Sequence, residues 1–96
     1  MNQLRYSGNA QEAASRQGSV IRSMIADLER TIEVLRIDIC TEEERVRVFD
    51  KADPLYPVLA RTLGNRRENL IKTITVLGRR LSEIEAVVTQ EVAEAA

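Results

Sequence analysis

The fold of this chain is decided by residues 21–49, which read IRSMIADLERTIEVLRIDICTEEERVRVF. Apolar side chains recur there in alternating steps of four and three residues, the spacing of a coiled-coil helix face. The stripe consists of Ile21, Ile25, Leu28, Ile32, Leu35, Ile39, Glu42, Val46 and Phe49. It therefore predicts one long helix with one apolar face, interrupted by a single charge.

A second stripe with the same spacing follows, and it also carries one charge. Its members are Ala60, Leu63, Arg67, Leu70, Ile74, Leu77, Leu81, Ile84 and Val88. Folding the chain back on itself places Phe49 opposite Ala60. The same register places Glu42 opposite Arg67, so that opposite charges share one layer. We therefore predict an all-α fold, an antiparallel helical hairpin of two long, coiled-coil-like helices.

The two stripe charges also indicate a register. A shift of one heptad would place Glu42 and Arg67 each opposite an apolar residue, and parallel homodimers would oppose like charges. We interpret Glu42 and Arg67 as a register pair, and the alternative is a buried charge that contacts a partner or ligand. Arg22 and Glu85 flank the apolar seam at nearly matching positions and favour the same register.

Two prolines place the turn of the hairpin. Pro54 favours extended backbone at Asp53, and Pro57 cannot donate the hydrogen bond that a helix interior requires. Either Asp53 caps a short turn that begins with Pro54, or Tyr56 and Pro57 begin the second helix. The predicted boundaries are a flexible N-terminal arm (1–9) and one hairpin domain (10–93), with helix 1 at about 10–50, the elbow at 50–57 and helix 2 at about 57–92.

A further apolar set lies off the main seam and is larger than one partner helix can cover. We expect it to meet a second hairpin or another helical protein, most simply in a homodimer that forms a four-helix bundle; scattered exposed aliphatic residues are the alternative. Gly64 and Gly78 lie at one edge of helix 2, where they either permit close helix approach or only weaken the helix. The apolar set comprises Val20, Met24, Val34, Ile37, Val48, Leu59, Ile71, Val76, Val87 and Val92.

Basic residues form a stripe on helix 2, with Arg66 and Arg80 at one heptad position and Lys72 and Arg79 at its neighbour. Phosphate groups of a nucleic acid could use this stripe. No aromatic residues interleave it and the net charge of the chain is −1, so a solvated or internally paired face is the preferred interpretation. Nucleic-acid binding is the competing function.

Composition argues against catalysis and against bound cofactors or metals. The chain has no histidine and one cysteine, which excludes an internal disulfide and the usual zinc ligand sets. Glu42, Glu43 and Glu44 are consecutive and point in different directions around a helix, unlike the paired carboxylates of acid–base catalysis. Neither a signal peptide nor a membrane span is recognisable. We expect a cytoplasmic, non-enzymatic interaction or assembly protein without membrane contact.

The elbow carries one resemblance. Pro54-Leu55-Tyr56-Pro57 between two helices resembles the Pro-x-x-Pro elbow of needle subunits of bacterial type III secretion systems, which are small helical hairpins. The central Leu-Tyr departs from the polar residues of that elbow. The resemblance implies a small secretion-system subunit or chaperone as a further alternative function.

Overall fold

The structure, a computed structural model, describes the backbone of residues 2–95 and the side chains of residues 10–90. Helix α1 spans Asn2–Val46 and helix α2 spans Val58–Ala95, joined by residues 47–57. Within the described part of the chain there is no strand, and the two helices pack against each other. The predicted all-α helical hairpin is therefore confirmed.

Contacts divide the chain into two compact units. The end unit consists of Met1–Ala26 and Thr75–Ala96, and the elbow unit consists of Asp27–Ile74. In the end unit the first part of α1 packs with the last part of α2, and the elbow unit pairs the other two segments. The helices are therefore antiparallel within each unit.

The buried faces of both helices follow the predicted stripes. On α2, every stripe member from Ala60 to Val88 is buried or half-buried, and the same holds on α1 from Ile21 to Val46. Periodicity identified these faces because the spacing of apolar residues along a helix is a local property of the sequence. Phe49 is an exception, since 54% of its surface is exposed. Its assignment to the seam is wrong.

The predicted register is wrong by one heptad in the end unit. A Cβ added at Gly18 would lie 3.8 Å from Ile84 Cγ2, whereas the prediction placed Ile84 against Ile25, seven residues further along α1. Val88 likewise lines a cavity with Ala14, whereas the prediction placed Val88 opposite Ile21. The buried face of α1 therefore extends from Ile21 back through Gly18 and Ala14, which lie beside Ile84 and Val88 of α2.

Helix α1 ends earlier than predicted because the backbone turns at Arg47. This residue has φ 62°, in the left-handed region, and its N–H donates a 2.7 Å hydrogen bond to the carbonyl of Glu43. Such a residue satisfies a carbonyl of the last turn and stops the helix. The predicted end near residue 50 is therefore replaced by an end at Val46, and Phe49 leaves the helical seam.

The elbow combines the two alternatives for the start of helix 2. Asp53 Oδ1 accepts a 2.8 Å hydrogen bond from the N–H of Leu55, and the Asp53 carbonyl accepts one from Tyr56 at 3.0 Å. Asp53 thus caps a short turn, as the sequence suggested. Helix α2 then begins at Val58, immediately after Pro57.

At the N-terminus the helix begins earlier than predicted. Predictions about the side chains at the two chain ends are not tested by the described residues. Helix α1 begins at Asn2, inside the segment 1–9 that was predicted as an arm. The side chains of residues 1–9 lie outside the described part of the structure, so the flexibility of this segment stays a prediction. The same applies to the contacts of Val92, whose side chain is not described.

Replacing Arg47 by Gly should stabilise the chain. A non-glycine residue in the left-handed region is strained and Gly is not, although Gly gains freedom in the unfolded chain, so we expect roughly 0.5–1 kcal/mol. Arg47→Ala is the control, because it removes the exposed ion pair with Glu44 (3.3 Å) and keeps the strain. Urea unfolding followed by circular dichroism would measure both, and a glycine variant less stable than the alanine variant would contradict this account.

Candidate functional site

The structure does not bring the predicted register pair together. Glu42 forms its ion pair with Arg45, three residues further along the same helix. The hydrogen bond from Arg45 lowers the pKa of Glu42, and the same bond raises the pKa of Arg45. Arg67 Nε is buried and has no hydrogen-bond partner. The expected ion pair between Glu42 and Arg67 is therefore absent from the described side chains, because Glu42 is satisfied within its own helix.

Arg67 lies beside an earlier turn of α1 than predicted. Its charge helps to lower the pKa of Glu33, for which the hydrogen bond from Arg36 is the main cause. It also lines a cleft together with Arg36 and Ile39. These neighbours lie toward the start of α1 from Glu42, which agrees with the shift found in the end unit.

The flanking pair that the sequence indicated does form. Arg22 Nη2 donates to Glu85 Oε1 at 2.6 Å, and both side chains are at least half exposed. Exposed pairs of this kind contribute about 0–1 kcal/mol. Since long side chains can reach over one turn of helix, this pair tolerates the shifted register and does not determine it.

A cleft of about 200 Å³ opens in the elbow unit next to Arg67. Three of its lining side chains are basic, one is acidic and one is a thiol. The Cys40 thiol is exposed and free. The lining residues are Arg36, Ile39, Cys40, Glu43, Lys51 and Arg67. The sequence did not predict this cleft, because its members come from α1, the elbow and α2 and meet only in the observed register.

Tyr56 anchors the elbow beside this cleft. Only 4% of its surface is exposed, its hydroxyl donates a 2.9 Å hydrogen bond to Glu43 Oε2, and the Arg61 guanidinium carbon lies 5.4 Å from the ring centroid. Burial, and next the hydrogen bond to Glu43, raise the pKa of Tyr56. Sequence reasoning overlooked this residue, although an aromatic ring directly before a proline in a turn was an available signal.

The off-seam apolar set is exposed, as the hypothesis of a second partner requires. Val48 is half-buried and is the one described member that is not exposed. The elbow adds further exposed apolar side chains that the sequence did not assign to this set, Phe49, Leu55 and Val58. The exposed members of the predicted set are Val20, Met24, Val34, Ile37, Leu59, Ile71, Val76 and Val87.

The small residues of α2 have open space beside them. A Cβ added at Gly64 or at Gly78 would meet none of the described atoms within 4 Å. No described side chain therefore requires glycine at either position, and the two interpretations of these residues, close helix approach and local weakening, stay open.

The basic stripe of α2 is exposed at all four positions, with Arg66 and Lys72 in the elbow unit and Arg79 and Arg80 in the end unit. Arg80 forms an ion pair with Glu83 at 3.5 Å. Part of the positive charge of the stripe is thus neutralised by an acidic residue of the same helix. This is what we expect of a solvated or internally paired face.

The described residues contain neither a candidate metal site nor a candidate membrane span. No group of three or more His, Cys, Asp or Glu side chains is arranged so that it could hold a metal ion. Neither described helix combines the length and the apolar character that crossing a membrane requires.

Comparisons with known proteins leave the function open. No protein-family model matches the chain, and neither a curated protein nor a solved structure matches it. What the chain does must therefore be inferred from its own side chains.

Proposed function

We propose that this chain is a cytoplasmic, non-enzymatic helical hairpin that pairs with a second copy of itself in a four-helix bundle and serves as an interaction or assembly module. The observation that carries the proposal is the exposed apolar set off the seam. Exposed aliphatic side chains such as Val34 (56% exposed) and Val76 (60% exposed) recur on both helices. Single exposed aliphatic residues are normal on a protein surface, whereas a repeated set of them indicates an interaction surface.

The surface area of the chain supports a partner of comparable size. The chain exposes 7364 Å², whereas a compact monomer of 10.8 kDa would expose about 5,500 Å². The excess is about 1,800 Å² for one chain, which is more than the roughly 800 Å² that each partner buries in a standard protein interface. A second copy is the simplest partner that supplies a matching apolar face.

In the end unit, the apolar set favours one edge of the helix pair. With Ile21 and Ile25 at the seam positions d and a, Met24 lies at g and Val20 at c, on the same side of α1. Val87 lies at g on α2, and g positions of antiparallel partners follow the same edge. Val20, Met24 and Val87 are all about half exposed. We therefore place the self-association surface of this unit on that edge.

Charges introduced on this edge should weaken association. We expect the wild-type chain to sediment as a dimer at micromolar concentration, and the variant Val20→Glu with Met24→Glu to require at least about 100-fold more protein, since desolvating two unpaired charges costs several kcal/mol. The matched control is Ser19→Glu with Ala26→Glu, because it adds the same charges at exposed positions on the other flank of α1.

Sedimentation velocity over a concentration series would measure all three proteins, with circular dichroism as a check on helix content. A wild-type chain that stays monomeric at about 100 µM, equivalent to a free energy weaker than about −5.5 kcal/mol, would reject self-association and leave a different helical protein as the partner. Equal weakening by the control would reject the assignment to this edge.

A further inference from the structure

The elbow-unit cleft contains more positive charge than its own acids neutralise. Of its lining residues Arg36, Lys51 and Arg67 are basic and Glu43 is acidic. Arg36 is held by Glu33, with an Nε to Oε2 distance of 3.0 Å. The two cations that remain for a ligand are therefore Lys51 and Arg67.

Among the described side chains, Glu43 forms no hydrogen bond with Lys51 or Arg67. Its Oε2 accepts the hydroxyl of Tyr56, and the described side chains show no ion pair between Glu43 and either Lys51 or Arg67. Glu33 is the second acid within electrostatic range of Arg67, but its carboxylate is bound by Arg36. The acids around the cleft are thus occupied by other donors.

Arg67 carries the strongest indication of a missing partner. Its Nε is buried and makes no hydrogen bond, and a buried donor left unsatisfied costs free energy, most of all on a charged group. Native structures rarely retain such a group without a function, an ion or a water molecule to satisfy it. Because Arg67 also lines an open cleft, an anion bound there can accept hydrogen bonds from this side chain.

We propose that this cleft binds a small phosphate-type oxyanion, held by the guanidinium of Arg67 and the ammonium of Lys51. Guanidinium groups bind tetrahedral oxyanions through paired N–H donors, and lysine adds a mobile point charge. A volume of about 200 Å³ accommodates a phosphate group and a few further atoms. Cys40 also lines the cleft.

The test is calorimetric titration of the full chain with sodium phosphate at constant ionic strength, with chloride as the replaced anion. We expect a dissociation constant in the low millimolar range for two partly exposed cations, corresponding to about −4 kcal/mol. Arg67→Gln and Lys51→Gln should each weaken binding at least 10-fold. Arg66→Gln is the matched control, since Arg66 is the preceding, exposed arginine outside the cleft, and it should bind within twofold of wild type.

Alkylation of Cys40 supplies a second readout that does not depend on heat of binding. Iodoacetamide is neutral, so bound phosphate should slow its reaction with Cys40 by occupying the cleft rather than by repelling the reagent. Protection should saturate with phosphate in the wild type and in Arg66→Gln and be lost in Arg67→Gln. The same readout serves a variant whose stability has changed, provided its circular dichroism is retained.

Glycerol 3-phosphate separates the two sources of the anion. Binding equal to that of inorganic phosphate would mean that the cleft accepts a phosphate group on a larger molecule, and binding of inorganic phosphate alone would mean a free ion; both support the proposal. It is overturned if wild type binds phosphate no better than chloride, or if Arg67→Gln retains wild-type binding and protection of Cys40.

Discussion

A chain carrying Gly18→Cys and Ile84→Cys, with Cys40 replaced by Ser, should close an intramolecular disulfide on mild oxidation. The companion chain with Ile25→Cys and Ile84→Cys should not. The first pair follows the register of the structure, and the second pair follows the register that the charged residues had indicated. The difference between the two chains is expected to be nearly complete.

Distance is the reason for this contrast. A Cβ at Gly18 lies 3.8 Å from Ile84 Cγ2, an atom one bond beyond Ile84 Cβ, where the sulfur of a cysteine at 84 can lie. The two side chains are therefore near enough to be bridged by a disulfide. Ile25 lies seven residues further along α1, a displacement of about 10 Å at 1.5 Å per residue. No disulfide spans that offset without moving the helices.

Non-reducing electrophoresis with mass spectrometry would report the cross-link, at a protein concentration low enough to favour closure within one chain. The single variant Gly18→Cys, also with Cys40 replaced by Ser, serves as the control for disulfides between chains. Efficient closure of the pair at Ile25 and Ile84, with no closure at Gly18 and Ile84, would support the register predicted from the sequence and contradict the structure.

The buried faces of the helices could be predicted from the sequence, whereas the pairing between them could not. Along each helix the stripe is encoded by residues a few positions apart, so a repeat of apolar side chains is enough to identify it. Register depends on which of several similar layers meet. Gly18 and Ala14 extend the face of α1, but small residues give little periodic signal, so the apolar pattern of the sequence marks the stripe only from Ile21 onward.

The charged layer of Glu42 and Arg67 predicted the wrong register for a specific physical reason. An ion pair selects a register only if each partner depends on the other, and Glu42 has an alternative partner in Arg45 on its own helix. The gain from pairing Glu42 with Arg67 is therefore small, because Glu42 keeps an ion pair on its own helix without Arg67. Arg67 loses its expected partner as a result, and its buried Nε becomes the most informative atom of the elbow cleft.

The end of α1 and the elbow cleft lay beyond sequence reasoning for a different reason. Helices that stop at a left-handed residue usually have glycine there, and this chain has Arg47, so the usual signal is missing. The position of Lys51 depends on that stop. Since the cleft also needs the observed register around Arg67, two non-local events had to be known before its residues could be grouped.

Replacing Tyr56 by Ala should destabilise the chain strongly. The ring is buried against the elbow with 4% of its surface exposed, and removing a buried aromatic side chain leaves a cavity that costs roughly 3 kcal/mol or more. Leu55→Ala is the matched control, because its neighbouring side chain is 74% exposed and should cost less than about 0.5 kcal/mol. Urea unfolding at one fixed protein concentration would measure both.

Tyr56→Phe separates the ring from its hydroxyl. It should cost about 1 kcal/mol, since the lost bond to Glu43 frees a half-buried carboxylate that water can reach. Burial raises the pKa of Tyr56, so its stabilisation is fully present below pH about 10, the ordinary tyrosine pKa, and is lost as the pH rises through the raised value. Wild type should therefore lose stability relative to Tyr56→Phe in alkaline solution, and parallel stability curves for the two proteins would contradict the raised pKa of Tyr56.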